Sequence, residues 1–319
     1  MNKNDLDNKK NIPKELNKLN KYNLKKNKSL EVHDDYINSM SLFPSGNLVS
    51  VSSDKSIKIY DKNLNIIQQI KNAHDDWINY VDVKNDNNLV TCSSDKTIKT
   101  WIKKEKKFKI NKVINNPHNN TIWKVIYFLN DNLISCSSDN TIKIWELNNN
   151  KYQNITILTH SDKIFSMLLL GDKNILISSG WNENKFWNLN NFELIIVLEE
   201  IECGWLNSLN RIDEDKIIII DNYPDTSFRV ISIFEKKIIK EINNQFSCRG
   251  ISVIKEKGIF LVGGESKDIK IYRLDNFEYI LTIYNAHDDF IRGFIQLKNG
   301  TIGSYGDDKI LNIWSFEFI

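Results

Sequence analysis

Serine, histidine and aspartate together can act as nucleophile, base and orienting acid, and all three recur close to one another along this 319-residue chain. A hydrolase needs one such group. Here the grouping returns several times, and one nucleophile has no use for extra copies, so the recurrence favours a structural role. A His with an Asp two positions on, as in His74 and Asp76, has the look of a metal ligand pair. A structural His beside a solvated loop Asp explains that pair more simply. Cys92, Cys136, Cys203 and Cys248 are isolated, with no C-x-x-C pair, and read as reduced, packed thiols rather than a zinc site or a disulfide framework. No Gly-rich phosphate loop and no acid/base pair within one loop stands out. The sequence therefore gives catalysis no support, and neither a cofactor nor a metal is expected.

The elements that hold these residues follow from composition and pattern. Ile is the commonest apolar residue, with 48 copies, and it is β-branched, which suits strands. Only 12 Gly and 4 Pro are present against 44 Asn, so Asn, Asp and Ser must make the turns of any β-protein written this way. The net charge of +2 hides an asymmetry, because residues 1–28 hold nine Lys and three acids and leave the remainder acidic. A basic body wrapped around nucleic acid is thereby disfavoured. Residues 1–21 read as a Lys/Asn-rich, solvated and mostly disordered tail ahead of a folded unit spanning 22–319. The chain lacks a long uncharged apolar run and a signal-peptide h-region, which predicts an intracellular protein of cytoplasm or nucleus.

Internal repetition settles the organisation. Five segments superpose without gaps from a His to an aromatic residue 27 positions later: His33 to Tyr60, His74 to Trp101, His118 to Trp145, His160 to Trp187, and His287 to Trp314. The interval from His160 to His287 leaves room for two units without the His, giving seven units of about 42 residues. Within a unit the apolar period is two, as in Asn79-Tyr80-Val81-Asp82-Val83, Leu89-Val90-Thr91-Cys92-Ser93 and Thr97-Ile98-Lys99-Thr100-Trp101, with a fourth strand from Phe108 to Ile114. Four antiparallel strands repeated seven times predict an all-β, seven-bladed propeller. Little chain follows Trp314, so a segment of about Tyr22 to Val32 is expected to complete the last blade and close the ring.

The units resemble WD repeats. The residues that carry the resemblance are Ser52-Ser53-Asp54-Lys55-Ser56-Ile57-Lys58-Ile59-Tyr60, Ser93-Ser94-Asp95-Lys96-Thr97-Ile98-Lys99-Thr100-Trp101, Ser137-Ser138-Asp139-Asn140-Thr141-Ile142-Lys143-Ile144-Trp145 and Gly306-Asp307-Asp308-Lys309-Ile310-Leu311-Asn312-Ile313-Trp314. The Gly that usually precedes the His is replaced by Val32, Ala73, Pro117, Thr159 or Ala286. The resemblance implies a buried hydrogen-bonded set in each of four blades: His33, Ser50, Asp54 and Tyr60; His74, Thr91, Asp95 and Trp101; His118, Ser135, Asp139 and Trp145; and His287, Ser304, Asp308 and Trp314. Three contiguous blades lose it by this register. The fourth has Ile177 and Trp181 in place of the Ser and Asp, the sixth has Val262 and Ser266, and the fifth, around Trp205 to Ile231, has no His and a longer Asn222-Tyr223-Pro224-Asp225 turn.

The resemblance also implies a non-catalytic interaction scaffold that binds a protein or peptide on the face around the channel mouth. Five residues after the His, or at the matching position in the two blades without one, where Trp205-Leu206-Asn207 and Cys248-Arg249-Gly250 are aligned by local matching, the blades read Asn38, Asn79, Trp123, Phe165, Asn207, Arg249 and Arg292; two residues earlier come Tyr36, Trp77, Thr121, Lys163, Trp205, Ser247 and Phe290. Aromatics, Arg and Asn suit a binding face, and Arg249 and Arg292 on adjacent blades are candidates to clamp a carboxylate or phosphate. Asp34, Asp35, Asp75, Asp76, Asp288 and Asp289 lie beside them, so a basic partner residue is the other reading. Phosphoinositide binding is the weaker alternative, since each Arg stands singly and not in a pair. No obligate homo-oligomer is indicated.

Overall fold

Each short apolar run becomes a strand whose burial follows its distance from the ring axis. Leu48–Ser52, the second strand of the first blade, buries every residue, whereas Ile66–Ile70, the fourth, leaves most of its side chains in contact with solvent. The middle strands lie between neighbouring blades and need apolar residues on both faces; the outer strands need them on one. The computed structural model describes residues 22–199, 205, 207–221, 227–243 and 247–318. It contains seven antiparallel sheets of four strands, six of them running in chain order from the axis outwards.

The seventh sheet is the exception in order. Tyr22–Glu31 pairs antiparallel with Ile310–Phe318 and supplies the outer strand of the last blade, so the ring closes as the sequence requires. Propeller cores form between blades. Val49, Val51, Ile57 and Ile59 of blade one pack with Val81, Leu89 and Trp101 of blade two, and Leu24, Ile302 and Trp314 of blade seven pack with Leu261 and Ile271 of blade six. The tail and Cys203 lie outside the described residues, as does the Asn222–Asp225 turn. Among the described residues no helix is long and apolar enough to cross a membrane.

The turns show how the shortage of glycine is met. Asn72, Asn116 and Asn285 adopt positive φ, but so do Lys55, Lys96, Lys267 and Lys309, residues the composition did not single out for turns. In the tight turn of blade one the Asp54 carboxylate accepts from the Ser56 backbone N–H, and Asp95 does the same for Thr97. That Asx-type bond pins the turn and holds Lys55 or Lys96 in the left-handed region.

Candidate functional site

The first interior feature is a relay within the blade. In blade two the Trp101 indole N–H donates to Thr91 Oγ1 (2.9 Å), Thr91 Oγ1 lies 2.8 Å from His74 Nε2, and His74 Nδ1 lies 2.9 Å from Asp95. One set of proton positions satisfies every group: the hydroxyl accepts from indole and donates to Nε2, and Nδ1–H donates to the carboxylate. Blade three repeats this with Trp145, Ser135, His118 and Asp139, and blade seven with Trp314, Ser304, His287 and Asp308. In blade one the Tyr60 hydroxyl, 3.0 Å from Ser50 Oγ, takes the place of the indole, beside His33 and Asp54. Burial holds His33, His74 and His118 below the ordinary imidazole value, and hence neutral. Burial alone would raise Asp54, Asp95 and Asp139; hydrogen bonds from the imidazoles, from the Ser56, Thr97 or Thr141 side chains and from backbone N–H groups together outweigh it and hold all three well below the usual carboxylate range. The hydroxyls are spent inside the blade, out of reach of a substrate.

Blade four corrects the register read from the sequence. Ser178, not Ile177, stands 2.7 Å from His160 Nε2 and accepts from the Trp187 indole at 2.8 Å. Glu183 replaces the Asp, accepting from the Ser161 backbone N–H and lying 3.5 Å from His160 Nδ1. His160 to Ser178 is one residue longer than in the other blades and Ser178 to Trp187 one shorter, so the two changes cancel in the spacing of 27. The set is loosened rather than lost. Among the described residues His160 Nδ1 has no hydrogen-bond partner, and burial together with nearby Lys185 pushes this imidazole down to about 4. Blades five and six substitute an aromatic cluster of Phe228, Phe260 and Tyr272, with Phe260 stacked on Tyr272 at 5.0 Å.

The second feature is a belt at the channel mouth. Six residues of the column read five positions after the His share one device: Asn38, Asn79, Trp123, Phe165, Arg249 and Arg292 each sit at a break in register on the innermost strand. A bulge re-aims its residue, and here it turns the side chain along the ring. Asn38 donates to Ser53 of its own blade and to the Ile78 carbonyl of the next; Asn79 repeats this with Ser94 and Ile122. Trp123 donates to Ser138 and packs on Phe165 of the next blade at 5.6 Å, and Phe165 packs in turn on Trp181 at 6.1 Å. Asn207 donates to the Arg292 carbonyl. Asn38 and Asn79 are 2% exposed and Phe165 9%, so these three are buried in the belt.

The two arginines hold a carboxylate of this same chain. Arg292 Nε donates to Asp307, its NH1 donates to Asn38 at 2.9 Å, and its guanidinium lies 5.1 Å from the Tyr36 ring. Arg249 reaches Asp307 at 3.5 Å and Glu265 at 3.1 Å, with its guanidinium between the rings of Trp205 (4.0 Å) and Phe290 (4.3 Å). Composition could not show this, because Asp307 looks like one more turn residue until the bulges at Arg249 and Arg292 turn both guanidinium groups onto it.

The residues left open lie one step outward. Trp77 is 47% exposed and Trp181 49%. Tyr36, Trp123, Trp205 and Phe290 are partly exposed, and Asp34, Asp75 and Asp288 are exposed beside their histidines. Asp35, Asp76 and Asp289 each accept from the backbone N–H of the aromatic that follows, which fixes how Tyr36, Trp77 and Phe290 are presented. Blades seven, one and two thus carry the same Asp-Asp-aromatic loop on one face. On the opposite face, a cavity of about 250 Å³ is lined by Leu48, Leu64, Leu297, Lys62 and Lys298 among others. Among the described residues no group of three or more His, Cys, Asp or Glu is placed to hold a metal ion.

A closed ring of seven four-stranded blades, braced internally by His-centred relays, defines a seven-bladed β-propeller of the repeat type. The family model described as WD domain, G-beta repeat matches residues 24–61, 66–101 and 109–146, about a third of the chain, and these units are similar to WD40 repeats. The first matched repeat begins at Leu24, on the strand that completes blade seven, so repeat and blade are offset by one strand. That offset is what closes the ring. No curated protein matches the chain. WD40 propellers generally act as protein-interaction scaffolds and are typically non-catalytic.

Proposed function

We propose that this protein is a non-catalytic scaffold whose partner docks an extended segment carrying Lys or Arg across the Asp-Asp-aromatic loops of blades seven, one and two. The observation that carries the reading is the internal neutralisation of Arg249 and Arg292 by Asp307 and Glu265, which leaves Asp34, Asp75 and Asp288 as open charges beside Tyr36, Trp77 and Phe290. Carboxylates and aromatic faces both attract a guanidinium or ammonium group. The aromatic step Trp123–Phe165–Trp181 continues the same face over blades three and four and supports an apolar anchor there. Anionic lipid headgroups gain nothing from guanidinium groups already engaged. Affinity capture tests the reading, comparing the intact protein with a variant carrying Trp77→Ala, Asp34→Lys, Asp75→Lys and Asp288→Lys. Loss of specific partners by a folded variant is expected; retention of every partner would reject this face.

A further inference from the structure

The seams between blades differ on the face opposite the Asp-Asp-aromatic loops. Two positions meet there: the residue that follows the innermost strand of one blade, and the residue in the turn before the outer strand of the next. At the seam of blades one and two these are Phe43 and Phe108, whose rings lie 5.4 Å apart and leave a crevice of about 10 Å³ beside them. Phe192 packs on the core that takes Phe128 at the seam of blades three and four, and Phe277 packs with Ile212 at that of blades five and six. At the seam of blades seven and one both positions hold leucine, Leu297 and Leu64, and a cavity of about 250 Å³ remains over the buried Leu48. Pairing register equates Leu64 with Phe108, Phe192 and Phe277, since each stands two residues before the strand partner of Tyr60, Trp101, Trp187 or Tyr272. Leu64, Phe192 and Phe277 also share positive φ values of 68°, 61° and 65°. The turn therefore accepts either residue, and the cavity follows from side-chain volume rather than from the backbone.

The mouth of this cavity is cationic. Gly46, at φ 93°, yields its side-chain space to two lysine stems from different blades: a Cβ there would lie 3.3 Å from Lys298 Cδ and 3.7 Å from Lys62 Cγ. The Lys298 ammonium donates to the Pro44 carbonyl, and Lys62 has no hydrogen-bond or ion-pair partner among the described residues. The acids of these turns are engaged elsewhere, Asp61 by the backbone N–H groups of Asn63 and Asn65 and Asp86 by that of Ser45. Backbone groups are spent within the turns as well, Phe43 N–H on Asn47, Gly46 N–H on Phe43, Leu64 N–H on Asp61 and Leu297 N–H on Thr301. An incoming peptide backbone finds few partners here, whereas an apolar chain with one anionic end matches both the leucine walls and the ammonium groups.

We propose that this cavity binds a free aliphatic carboxylate, its chain against Leu48, Leu64 and Leu297 and its carboxylate between Lys62 and Lys298. At roughly 30 Å³ for a water-sized group, the volume takes a chain of about eight carbon atoms. The site lies opposite the Asp-Asp-aromatic face and stands apart from the partner reading above.

Calorimetric titration of the full chain with octanoate tests it. Saturable binding at a single site is expected, with 1-octanol, which keeps the chain and lacks the charge, weaker by at least about tenfold. Leu64→Phe, which installs the residue that the same turn carries in blades four and six, should abolish octanoate binding in a folded protein. Lys62→Gln should weaken octanoate and leave 1-octanol unchanged. Should Leu64→Phe fail to fold, hydrogen exchange on the wild type decides: octanoate must protect amides of 43–47, 61–65 and 297–301. Absence of octanoate binding, equal affinity for 1-octanol, undiminished binding by folded Leu64→Phe, or no protection of these turns would overturn the proposal. So would a peptide with a C-terminal leucine that binds more tightly than octanoate, because the cavity would then serve the end of a partner chain.

Discussion

Asn38, on the innermost strand of the first blade, accepts a hydrogen bond 2.9 Å long from Arg292 of the last, across 254 positions of sequence. Asp307 supports that contact by holding Arg292 and Arg249 together, with only 6% of its side chain exposed. Stripping one partner from a buried charge group leaves the others uncompensated, at a cost of about 3–5 kcal/mol. Asp307→Ala should therefore destabilise more than Arg292→Ala, and the double variant should lose less than the sum of the two. Urea unfolding of the three variants checks this, and strict additivity would show that the groups do not act as a unit.

Within a blade, Thr91→Val removes the hydroxyl that serves both Trp101 and His74. It leaves a buried indole N–H and an imidazole nitrogen unpaired, at about 1–3 kcal/mol each. Ser178→Ala should produce a comparable loss in blade four, whereas Ile177→Val should behave as a simple loss of one methylene, about 1 kcal/mol. Denaturant midpoints of the three variants separate the register seen in the structure from the one suggested by the gapless repeat.

Stability should fall in two stages as pH is lowered. His160 is held down to about 4 by burial and by Lys185, against an ordinary 6.5, so the unfolded chain takes up its proton first. That contribution is fully present above about 6.5 and is lost as pH falls toward about 4; at most it amounts to about 3 kcal/mol. His33, His74 and His118 are shifted in the same direction and add to it. Asp54, Asp95, Asp139 and Asp308, held low in the fold, contribute above the ordinary carboxylate value, and that contribution is lost below it. Urea midpoints between neutral pH and about pH 4 should slope less steeply for His160→Gln than for wild type; identical slopes would show that His160 titrates normally.

Ring closure predicts two different truncations. Deleting residues 1–15 leaves the paired strand Tyr22–Glu31 intact and should not change Tm. Deleting residues 1–32 strips the edge of Ile310–Phe318 and the buried Leu24, and should lower Tm sharply or abolish soluble expression. Similar behaviour of the two proteins would contradict the closure.

Much of the fold was legible because the repeat writes the same set of four strands in blade after blade, and the His-to-aromatic spacing marks the blade even where the Gly is gone. Two features were not legible, each for a physical reason. In blade four, lengthening of the first hairpin and shortening of the next leave the total spacing at 27, so only the backbone reveals that Ser178 and Glu183 stand where Ile177 and Trp181 had been expected. At the channel mouth, a bulge turns Asn38, Asn79 and Arg292 into the ring, and a break in register leaves no trace in a pattern of alternating residues. The Asp-Asp-aromatic loops were visible as residues, but their openness became distinguishable from the belt only once those neighbours were buried.

The most direct measurement of the functional reading is a hydrogen-exchange footprint of the protein with a captured partner bound. Protection should concentrate in residues 33–36, 74–77 and 287–290, and weaken together with affinity as salt screens the carboxylates. Protection confined to the opposite face, at the turns around Pro44–Asn47 and Lys298–Gly300, or binding indifferent to salt, would contradict it.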